Sequence, residues 1–537
     1  MGDLIHEGRR SPLTGGRSLF DYADDLAVVV PASCRRTGRC HECVVEVREG
    51  LGRLSPRTEP EGFLRDPYRL ACQAEIVATD GDVEISVLRR RLRIVTRASG
   101  DVPEPDPVVA RAGDDVLYRG ERMDTWRSAL RGVAIDLGTT TIAWELLDLA
   151  SGEVLHVGAI ENPQRFGGSD VISRIAYDEG AGRGELRQAV RKALNHELKE
   201  AYAALGIDRR TVYEVVVVGN ATMRDIFFGL DVSTIGRRPF RSAVELAYLA
   251  GERATTEVVA LAHELGILVH PNARIVGAPL IGGHVGADIT ADLVATAFAD
   301  GPDPSMIIDV GTNTEVVLLA GGRILAASAP AGPAFEGGSV RYGMAAAVGA
   351  IESVRSVDGE LVFETIGDVP PVGICGSGLV DLLAELRRGG RMTPEGRFAG
   401  GAGYVAIAPV EGIDFSRHDA SQLAQAKAAN HSGTGILLRL AGLVPADLKR
   451  LYLAGAFASY IDIRNAIEIG FIPSVAEDRV EKVGNASLRG ARILLLSGSR
   501  RAAVDALVRR IEHVELETHP EFFDFFVEGC RFSPMEI

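Results

Sequence analysis

The sequence D-L-G-T-T-T beginning at Asp136 returns as D-V-G-T-N-T beginning at Asp309. Each copy follows a short apolar run (VAI, then MII) and precedes another (IAWELLDL, then EVVLLA). Each then reaches a turn (ASGE, then GGR) and a further apolar run. The two aspartates lie 309 − 136 = 173 residues apart, far too long a period for a solenoid. The pattern predicts two homologous halves of one duplicated domain, each opening strand, turn, strand. A D-x-G-T turn between strands offers backbone N–H groups and hydroxyls to a phosphate. Its carboxylate can hold Mg²⁺ directly or through water. Two such turns from opposing halves would clamp one nucleotide. That makes Asp136 and Asp309 the candidate catalytic pair. Gly138, Thr139, Thr140, Thr141, Gly311, Thr312 and Asn313 are the candidate phosphate-binding residues. A third glycine turn, Gly455-Ala456 in LYLAGAFASY, would bring backbone close to a flat base such as adenine. There is no G-x-x-x-x-G-K-[ST] loop, and no G-x-G-x-x-G follows a strand.

The first 90 residues have a different texture. Short apolar or alternating runs at AVVVPA, CVVEVREG, YRLACQAEI and DVEISVL, separated by Gly and Pro, predict a small β-rich unit. It holds four of the six cysteines. Cys34, Cys40 and Cys43 form C-x5-C-x2-C, and Cys72 follows after 28 intervening residues. Four thiolates saturate a [2Fe–2S] cluster at two per iron, and plant-type ferredoxins space three of them C-x4-C-x2-C. The loop here is one residue longer and resembles the adrenodoxin-like variant. Tetrahedral zinc is the competing reading, although zinc sites more often pair C-x2-C with a second such pair or with histidines. Gly38 permits close backbone approach in the loop. Arg35, Arg36 and Arg39 read as a solvated charged rim or as a docking rim for an acidic redox partner. Cys375 and Cys530 read as inert buried thiols.

Between these regions lies RRRLRIVTRASG, then DVPEPDPVVA, whose prolines (Pro103, Pro105, Pro107) alternate with acids. That composition predicts an extended, semi-rigid linker. The expected division is residues 1–90, a linker over 91–131, a first ATPase half over 132–212 and the remainder over 213–537. Beyond Arg131, strands alternate with helical patterns. Leu186, Val190, Leu194, Leu198, Ala201 and Leu205 form one apolar helix face stopped by Gly206. Ser416 with Asp419 predicts a capping box opening a helix that runs toward Gly442.

Fifty-eight Lys and Arg against 73 Asp and Glu give a net charge of −15, which argues against general nucleic-acid binding. The first residues carry no apolar leader, and no apolar run nears the roughly 18 residues of a membrane span. Six cysteines in 537 residues are too sparse for a disulfide scaffold. A cytoplasmic location is expected.

Two phosphate turns followed by a late glycine turn resemble the actin, sugar-kinase and heat-shock-protein ATPases. With CRRTGRCHEC and LACQ ahead of AIDLGTTTIA, VVVVGNATM, GGHVGADITAD, IIDVGTNTEVVL, AGPAFEGG, GICGSGLVDLL and LYLAGAF, the chain resembles the ATP-dependent reductive activators of corrinoid proteins. The match covers nearly the whole chain. It implies an α+β multidomain fold: a β-grasp ferredoxin-like domain, then a duplicated ribonuclease H-like, actin-like ATPase. It implies a [2Fe–2S] cluster on Cys34, Cys40, Cys43 and Cys72, with ATP and Mg²⁺. The implied activity is return of Co(II) to Co(I) at ATP expense. The implied partners are a corrinoid protein of a methyltransferase system and an upstream reductase, ferredoxin or flavodoxin. A homodimer is an option. Alternatives are ATP-driven electron injection into another enzyme, a small-molecule kinase with a fused redox domain, and a nucleotide-switched binding module. Thr314, Ala458 and Ser459 depart from the family's usual residues. Thr314 is expected to leave the second turn less open, and the other two to alter the adenine pocket.

Overall fold

The computed structural model describes residues 2–88, 104–180, 182–455 and 457–535. Pro103, most of the expected linker's first part, and Ala456 lie outside the described residues.

The first unit is a five-stranded sheet with a helix on it. Strands β1 (Asp3–His6), β2 (Arg9–Pro12), β3 (Val44–Glu49), β4 (Tyr68–Leu70) and β5 (Val83–Val87) take the order β2-β1-β5-β3-β4. β1 and β5, the first and last strands, pair in parallel at the centre. Helix α1 (Leu19–Asp25) starts at Ser18, whose hydroxyl caps Asp21 while the Asp21 carboxylate returns to Ser18. The expected strand in AVVVPA does not form. Val28 N–H instead closes the end of α1 on the Ala23 carbonyl, Ala27 turns at φ 54°, and Pro31 offers no donor. The segment runs as a loop into the cysteines.

The stretch expected as linker contains a small antiparallel sheet of β6 (Val109–Ala112), β7 (Asp115–Tyr118) and β8 (Glu121–Thr125). Its strands are too short to show a period, and left-handed Gly113 and Gly120 make its turns. Asp106, between Pro105 and Pro107, is anchored: its N–H donates to Leu496 and its carbonyl accepts from Gly498. This part of the chain is therefore a fixed brace and not a free tether.

The remainder is two matched halves. The first has β9 (Arg131–Leu137), β10 (Thr141–Asp148), β11 (Val154–Glu161), α2 (Val171–Asp178), α3 (Glu185–Leu205), β12 (Val212–Val218), α4 (Ala221–Phe228), α5 (Ala243–Leu249), β13 (Val258–Leu261), α6 (Ala262–Leu265), β14 (Arg274–Gly277) and α7 (Ala287–Ala295). The second begins with β15 (Ser305–Val310), β16 (Thr314–Ala320) and β17 (Arg323–Ala329). It then inserts β18 (Ala350–Val357), β19 (Glu360–Thr365), β20 (Gly373–Ile374), α8 (Gly376–Arg388), β21 (Tyr404–Ala408), β22 (Ile413–Ser416) and α9 (Arg417–Ala441). It closes with β23 (Arg450–Ala454), α10 (Ile463–Glu468), β24 (Val480–Gly484), α11 (Ala486–Leu496), α12 (Gly498–Val508), β25 (Ile511–His513) and α13 (Phe522–Gly529).

The sheets run β11-β10-β9-β12-β14-β13 and β24-β23-β15-β16-β17-β25. Reading each from its third strand inward gives one topology: β11-β10-β9-β12-β14 corresponds to β17-β16-β15-β23-β24. The expected boundary at 212/213 does not separate units. It falls at the start of β12, which pairs in parallel with β9 in the middle of the first sheet. The break between the halves lies between α7 and β15. β9 and β12 are buried along nearly their full length, so their apolar runs carry no alternation that marks which half they serve.

α3 and α9 match their expected bounds, ending at left-handed Gly206 and Gly442. α7 and α11 pack directly, one from each half. A methyl at Gly490 would lie 2.1 Å from the Ala291 carbonyl oxygen, so that crossing requires glycine. One apolar core runs without a break from the first unit (Leu4, Val45, Leu70) into the first half (Val133, Trp144, Val216). A second fills the other half, and a third, around Ile289, Leu293, Ile307 and Val317, joins the two.

Candidate functional site

Asp136 is the second-last residue of β9 and Asp309 the second-last of β15, at matched positions in the two sheets. Their turns meet. Thr140 Oγ1 and Thr312 Oγ1, 172 residues apart, lie 2.8 Å from each other. Both also donate to Glu336 Oε2, at 2.8 Å and 2.6 Å. The Gly332 N–H, in the loop carrying Glu336, donates to the Thr312 carbonyl at 2.8 Å. Thr139 Oγ1 accepts from Asn220 Nδ2 at 2.9 Å, and Asn220 caps α4. Asn162 holds the first turn from behind: its Nδ2 donates to the Gly138 carbonyl at 2.8 Å and its N–H to the Thr140 carbonyl at 2.7 Å. In the second turn, the Gly311 N–H donates to the Asn313 carbonyl at 3.1 Å. Thr141 opens β10.

The cleft between the turns is densely acidic. Asp136 accepts from Asn485 Nδ2, the cap of α11, at 2.8 Å. It is partly open to the cleft but hemmed in closely, and desolvation lifts its carboxyl to about 6 against that hydrogen bond. Asp309 is raised to about 7 by desolvation and by Asp136, opposed by a hydrogen bond with Asp292. Asp288 reaches about 8 through desolvation, then Asp309. Asp292, which accepts from Ser487 Oγ at 2.9 Å, and Glu315, which accepts from Ser328 Oγ at 2.9 Å, are also raised. Such crowding of carboxylates is what a site for a cation and phosphate chemistry looks like without its charge partners. Among the described residues, no three His, Cys, Asp or Glu side chains converge as a preformed single-ion site.

Asp288, Asp292, Glu336 and Asn485 were not singled out from sequence. GGHVGADITAD and AGPAFEGG, both distinctive, contain the first three. Gly455 sits behind the second turn: a methyl on it would lie 2.4 Å from the Val310 carbonyl oxygen and 3.1 Å from Asp309 Oδ1. Thr314 is buried at the start of β16, opposite Val310. Ala458 packs in the second half's core.

The cysteine loop is built by left-handed turns at Arg35, Arg36, Gly38 and His41. A methyl on Gly38 would lie 3.0 Å from Pro60 Cβ. The four thiols are linked as two pairs. Cys43 Sγ lies 3.4 Å from Cys72 Sγ, and Cys34 is hydrogen-bonded with Cys40. Gln73 Nε2 reaches Cys72 Sγ at 3.5 Å. Desolvation raises the Cys34 thiol, but bonds from Cys40 and Thr37 outweigh it and bring it to about 6. The bond from Cys43, helped by Gln73 and Gly38 and opposed by desolvation, does the same for Cys72. The two-by-two pairing of the donors fits a [2Fe–2S] cluster, which takes two thiolates per iron, better than one zinc ion, which needs four donors on one centre. Of the rim arginines, Arg36 is committed to Asp24 at 2.6 Å and stacks on Phe20, while Arg35 and Arg39 stay exposed. Cys375 is buried and Cys530 half-buried, both away from this loop.

The loop is docked on the first half. Lys192 Nζ donates to the Cys40 carbonyl at 2.5 Å, and His41 Nδ1 lies 3.0 Å from Glu185 Oε2. Arg165 bridges to Glu46 at 3.0 Å, and Tyr177 OH donates to the Phe63 carbonyl at 2.5 Å. A crevice of about 200 Å³ remains beside Cys40, His41 and Lys192. The expectation of a freely swinging ferredoxin domain is not what this structure shows.

Comparison with known proteins agrees with this division. Residues 7–77 match the 2Fe-2S iron-sulfur cluster binding domain, 131–300 the RACo middle region and 303–537 the C-terminal, ASKHA domain of RACo. The chain is 31% identical over 435 residues to the corrinoid activation enzyme RamQ of Eubacterium limosum, covering 75% of this chain and 70% of that one. It is 26% identical over 426 residues to the [Co(II) methylated amine-specific corrinoid protein] reductase of Methanosarcina barkeri, covering 75% and 76%. A solved reductive activator for corrinoid, iron-sulfur protein superposes with a TM-score of 0.71 at 27% identity, covering 100% of this chain and 99% of that one. With a ferredoxin-type thiol loop, an acidic cleft between two matched halves and these relatives, the chain belongs to the RACo family of reductive activators of corrinoid proteins.

Proposed function

We propose that this protein uses ATP to drive one electron onto the Co(II) of a corrinoid protein, regenerating Co(I) for methyl transfer. The observation that carries this reading is the pairing, in one chain, of a four-thiol loop with a cleft in which two D-x-G-T turns meet at Thr140 and Thr312.

A [2Fe–2S] cluster on Cys34, Cys40, Cys43 and Cys72 supplies the one-electron carrier when bound, at a potential near about −400 mV for the plant type. Every ~59 mV by which the cobalt acceptor lies lower is a tenfold deficit, about 1.4 kcal/mol. A shortfall of one or two hundred millivolts is therefore about 2–5 kcal/mol, within reach of differential binding of nucleotide states.

In the cleft, Gly138, Thr139, Thr140, Thr141, Gly311, Thr312 and Asn313 would cradle the phosphates through N–H groups and hydroxyls. Asp136 and Asp309 would hold Mg²⁺ arriving with the phosphates and orient the attacking water. Gly455 and Ala456 would face the adenine. Phosphates must break the Thr140–Glu336–Thr312 contact that now ties the halves together, so nucleotide state changes how the halves sit. α7 and α11, which meet at Gly490, would carry that change across the domain.

Exposed Arg35 and Arg39 give an acidic electron donor a docking rim. A reductase, ferredoxin or flavodoxin has the right chemistry. Sparse cysteines accord with a cytoplasmic setting. Among the described residues no helix is long and apolar enough to cross a membrane.

The test is Co(I) yield, read from its absorption, at a fixed weak reductant. Cluster-loaded protein with a Co(II) corrinoid protein should give Co(I) with ATP and little without it. Asp309→Ala should keep the iron and lose the ATP dependence. Equal yields with and without ATP, using a cognate corrinoid partner, would return the chain to the kinase or switch readings.

A further inference from the structure

We propose that Glu336 is the general base that activates the hydrolytic water in the nucleotide cleft. This rests on the ATPase reading above and goes beyond it, since Asp136 and Asp309 would serve the metal ion.

Glu336 ends a short 3-10 turn, Ala334–Glu336, in AGPAFEGG. That loop is fixed on both sides. The Gly332 N–H is bonded to the Thr312 carbonyl, and at left-handed Gly337 a methyl would lie 2.4 Å from the Met344 nitrogen. The backbone that carries the carboxylate is therefore fixed at the edge of the cleft. Glu336 Oε2 accepts from Thr140 of the first half and Thr312 of the second, at 2.8 Å and 2.6 Å. Among the described residues it is the one cleft carboxylate bonded to hydroxyls of both phosphate turns. Once those hydroxyls turn to a bound phosphate, Oε2 loses both of its donors and is free to take a proton from a water between the two turns.

The other acids are occupied differently. Asp136 is held by Asn485, Asp309 is bonded with Asp292, and Asp288 accepts the Ile289 N–H. The charged groups facing Glu336 are Asp309 and, from α2, the buried Arg174. Burial raises the Glu336 carboxyl, opposed by the hydroxyls of Thr312 and Thr140 and by Arg174, which brings it nearer the range useful to a base at neutral pH.

The step balances without a further reagent. Glu336 takes one proton from water. The water oxygen bonds to the γ-phosphorus as the bond to the β–γ bridging oxygen breaks. That oxygen leaves with the electron pair as ADP, and the proton returns to phosphate or solvent.

Glu336→Gln keeps the size and the acceptor oxygen for both threonines but cannot take the proton. It should lower kcat for ATP hydrolysis at least about 100-fold, the usual scale of a lost base. Affinity for a non-hydrolysable ATP analogue, measured by calorimetry, should stay within about threefold of wild type. Glu336→Ala should regain rate when formate is added, because a small carboxylate can occupy the vacated space. The proposal is overturned by a Glu336→Gln kcat within about threefold of wild type, by a loss carried wholly in nucleotide affinity, or by no response of Glu336→Ala to formate. Wild-type protein that hydrolyses no ATP overturns the ATPase reading and this proposal with it.

Discussion

Lys192, on the helix Glu185–Leu205 of the first ATPase half, donates to the carbonyl of the cluster-loop residue Cys40 at 2.5 Å. The contact is one end of a continuous chain. Asn162 grips the carbonyls of Gly138 and Thr140 in the first phosphate turn, and its Oδ1 accepts the Gln164 N–H at 2.9 Å. Gln164 Nε2 donates to the Leu186 carbonyl at the start of Lys192's helix, and Arg165 reaches Glu46 of the ferredoxin sheet. A movement of the phosphate turn has a bonded route to the cysteine loop.

Lys192→Ala should therefore loosen the docked loop. A charge-assisted hydrogen bond contributes about 1–3 kcal/mol. Amide hydrogen exchange over residues 34–43 should rise by about tenfold in the variant. Adding an ATP analogue to wild type should also change exchange there. Exchange unaltered in both experiments would mean the docked arrangement does not persist in solution.

The two-pair arrangement of the thiols gives a second expectation. Wild-type protein purified without oxygen should carry about two irons and two sulfides per chain. Cys72→Ser removes one member of the Cys43–Cys72 pair and should cut both by more than half. Cys375→Ser should leave both unchanged, since Cys375 is buried beside Ser377 and Ile351 in the second half. Stoichiometric zinc without sulfide would reject the assignment.

The acidic cleft makes stability depend on pH. Asp136, Asp309 and Asp288 are raised to about 6, 7 and 8 in the folded chain. Folded-state values above the ordinary carboxyl value mean that the folded chain binds more protons than the unfolded one. The favourable contribution is complete below about pH 4 and is lost as pH rises through 6 to 8. Asp288→Asn should thus stabilise the nucleotide-free protein at pH 8 by about 1–2 kcal/mol after allowing for the open side of the cleft, read as a higher melting temperature. The gain should shrink as pH falls and vanish only toward about pH 4. A gain equal at both values would show that charge crowding is not its source.

What the sequence displayed, and what it hid, follows from where the constraints lie. The Asp136–Asp309 echo was readable because the two turns keep the same residues at matched places of β9 and β15, where they meet at Thr140 and Thr312. The four cysteines were readable because no other residue supplies those donors. The rest of the duplication was not readable. Gly219 and Gly455 are equivalent in the two sheets but lie 236 residues apart, against 173 for the aspartates, because the second half makes the longer excursion, from Ala329 at the end of β17 to Arg450 at the start of β23, where the first half runs only from Glu161 to Val212. Asp288, Asp292 and Asn485 sit on helices whose faces are buried against the opposite half. Their roles come from a contact between segments about 200 to 350 residues from their partners. The brace around Asp106 was masked by its prolines, which mark an extended chain equally well whether it is free or anchored.

Those two glycines carry the last prediction. Gly219 follows Val218 on the strand beside Asp136, and Gly455 follows Ala454 on the strand beside Asp309. A methyl at Gly219 would lie 2.6 Å from the Leu137 carbonyl oxygen, and one at Gly455 would lie 2.4 Å from that of Val310. Their φ values, 151° and 98°, also disfavour a side chain. Space and backbone conformation thus select glycine at the same point of both halves, immediately behind each phosphate turn. Gly455→Ala should push the Asp309 turn into the cleft, lower ATP turnover more than tenfold and cost about 1–3 kcal/mol of stability. Gly442→Ala is the control: φ is 68° there, but a methyl meets nothing within 4 Å. It should cost about 1 kcal/mol through backbone strain alone and leave turnover intact. Phosphate release and thermal melting on both variants decide the matter. Gly455→Ala turning over at the wild-type rate would show that the close approach of this strand end does not set the geometry of the second turn.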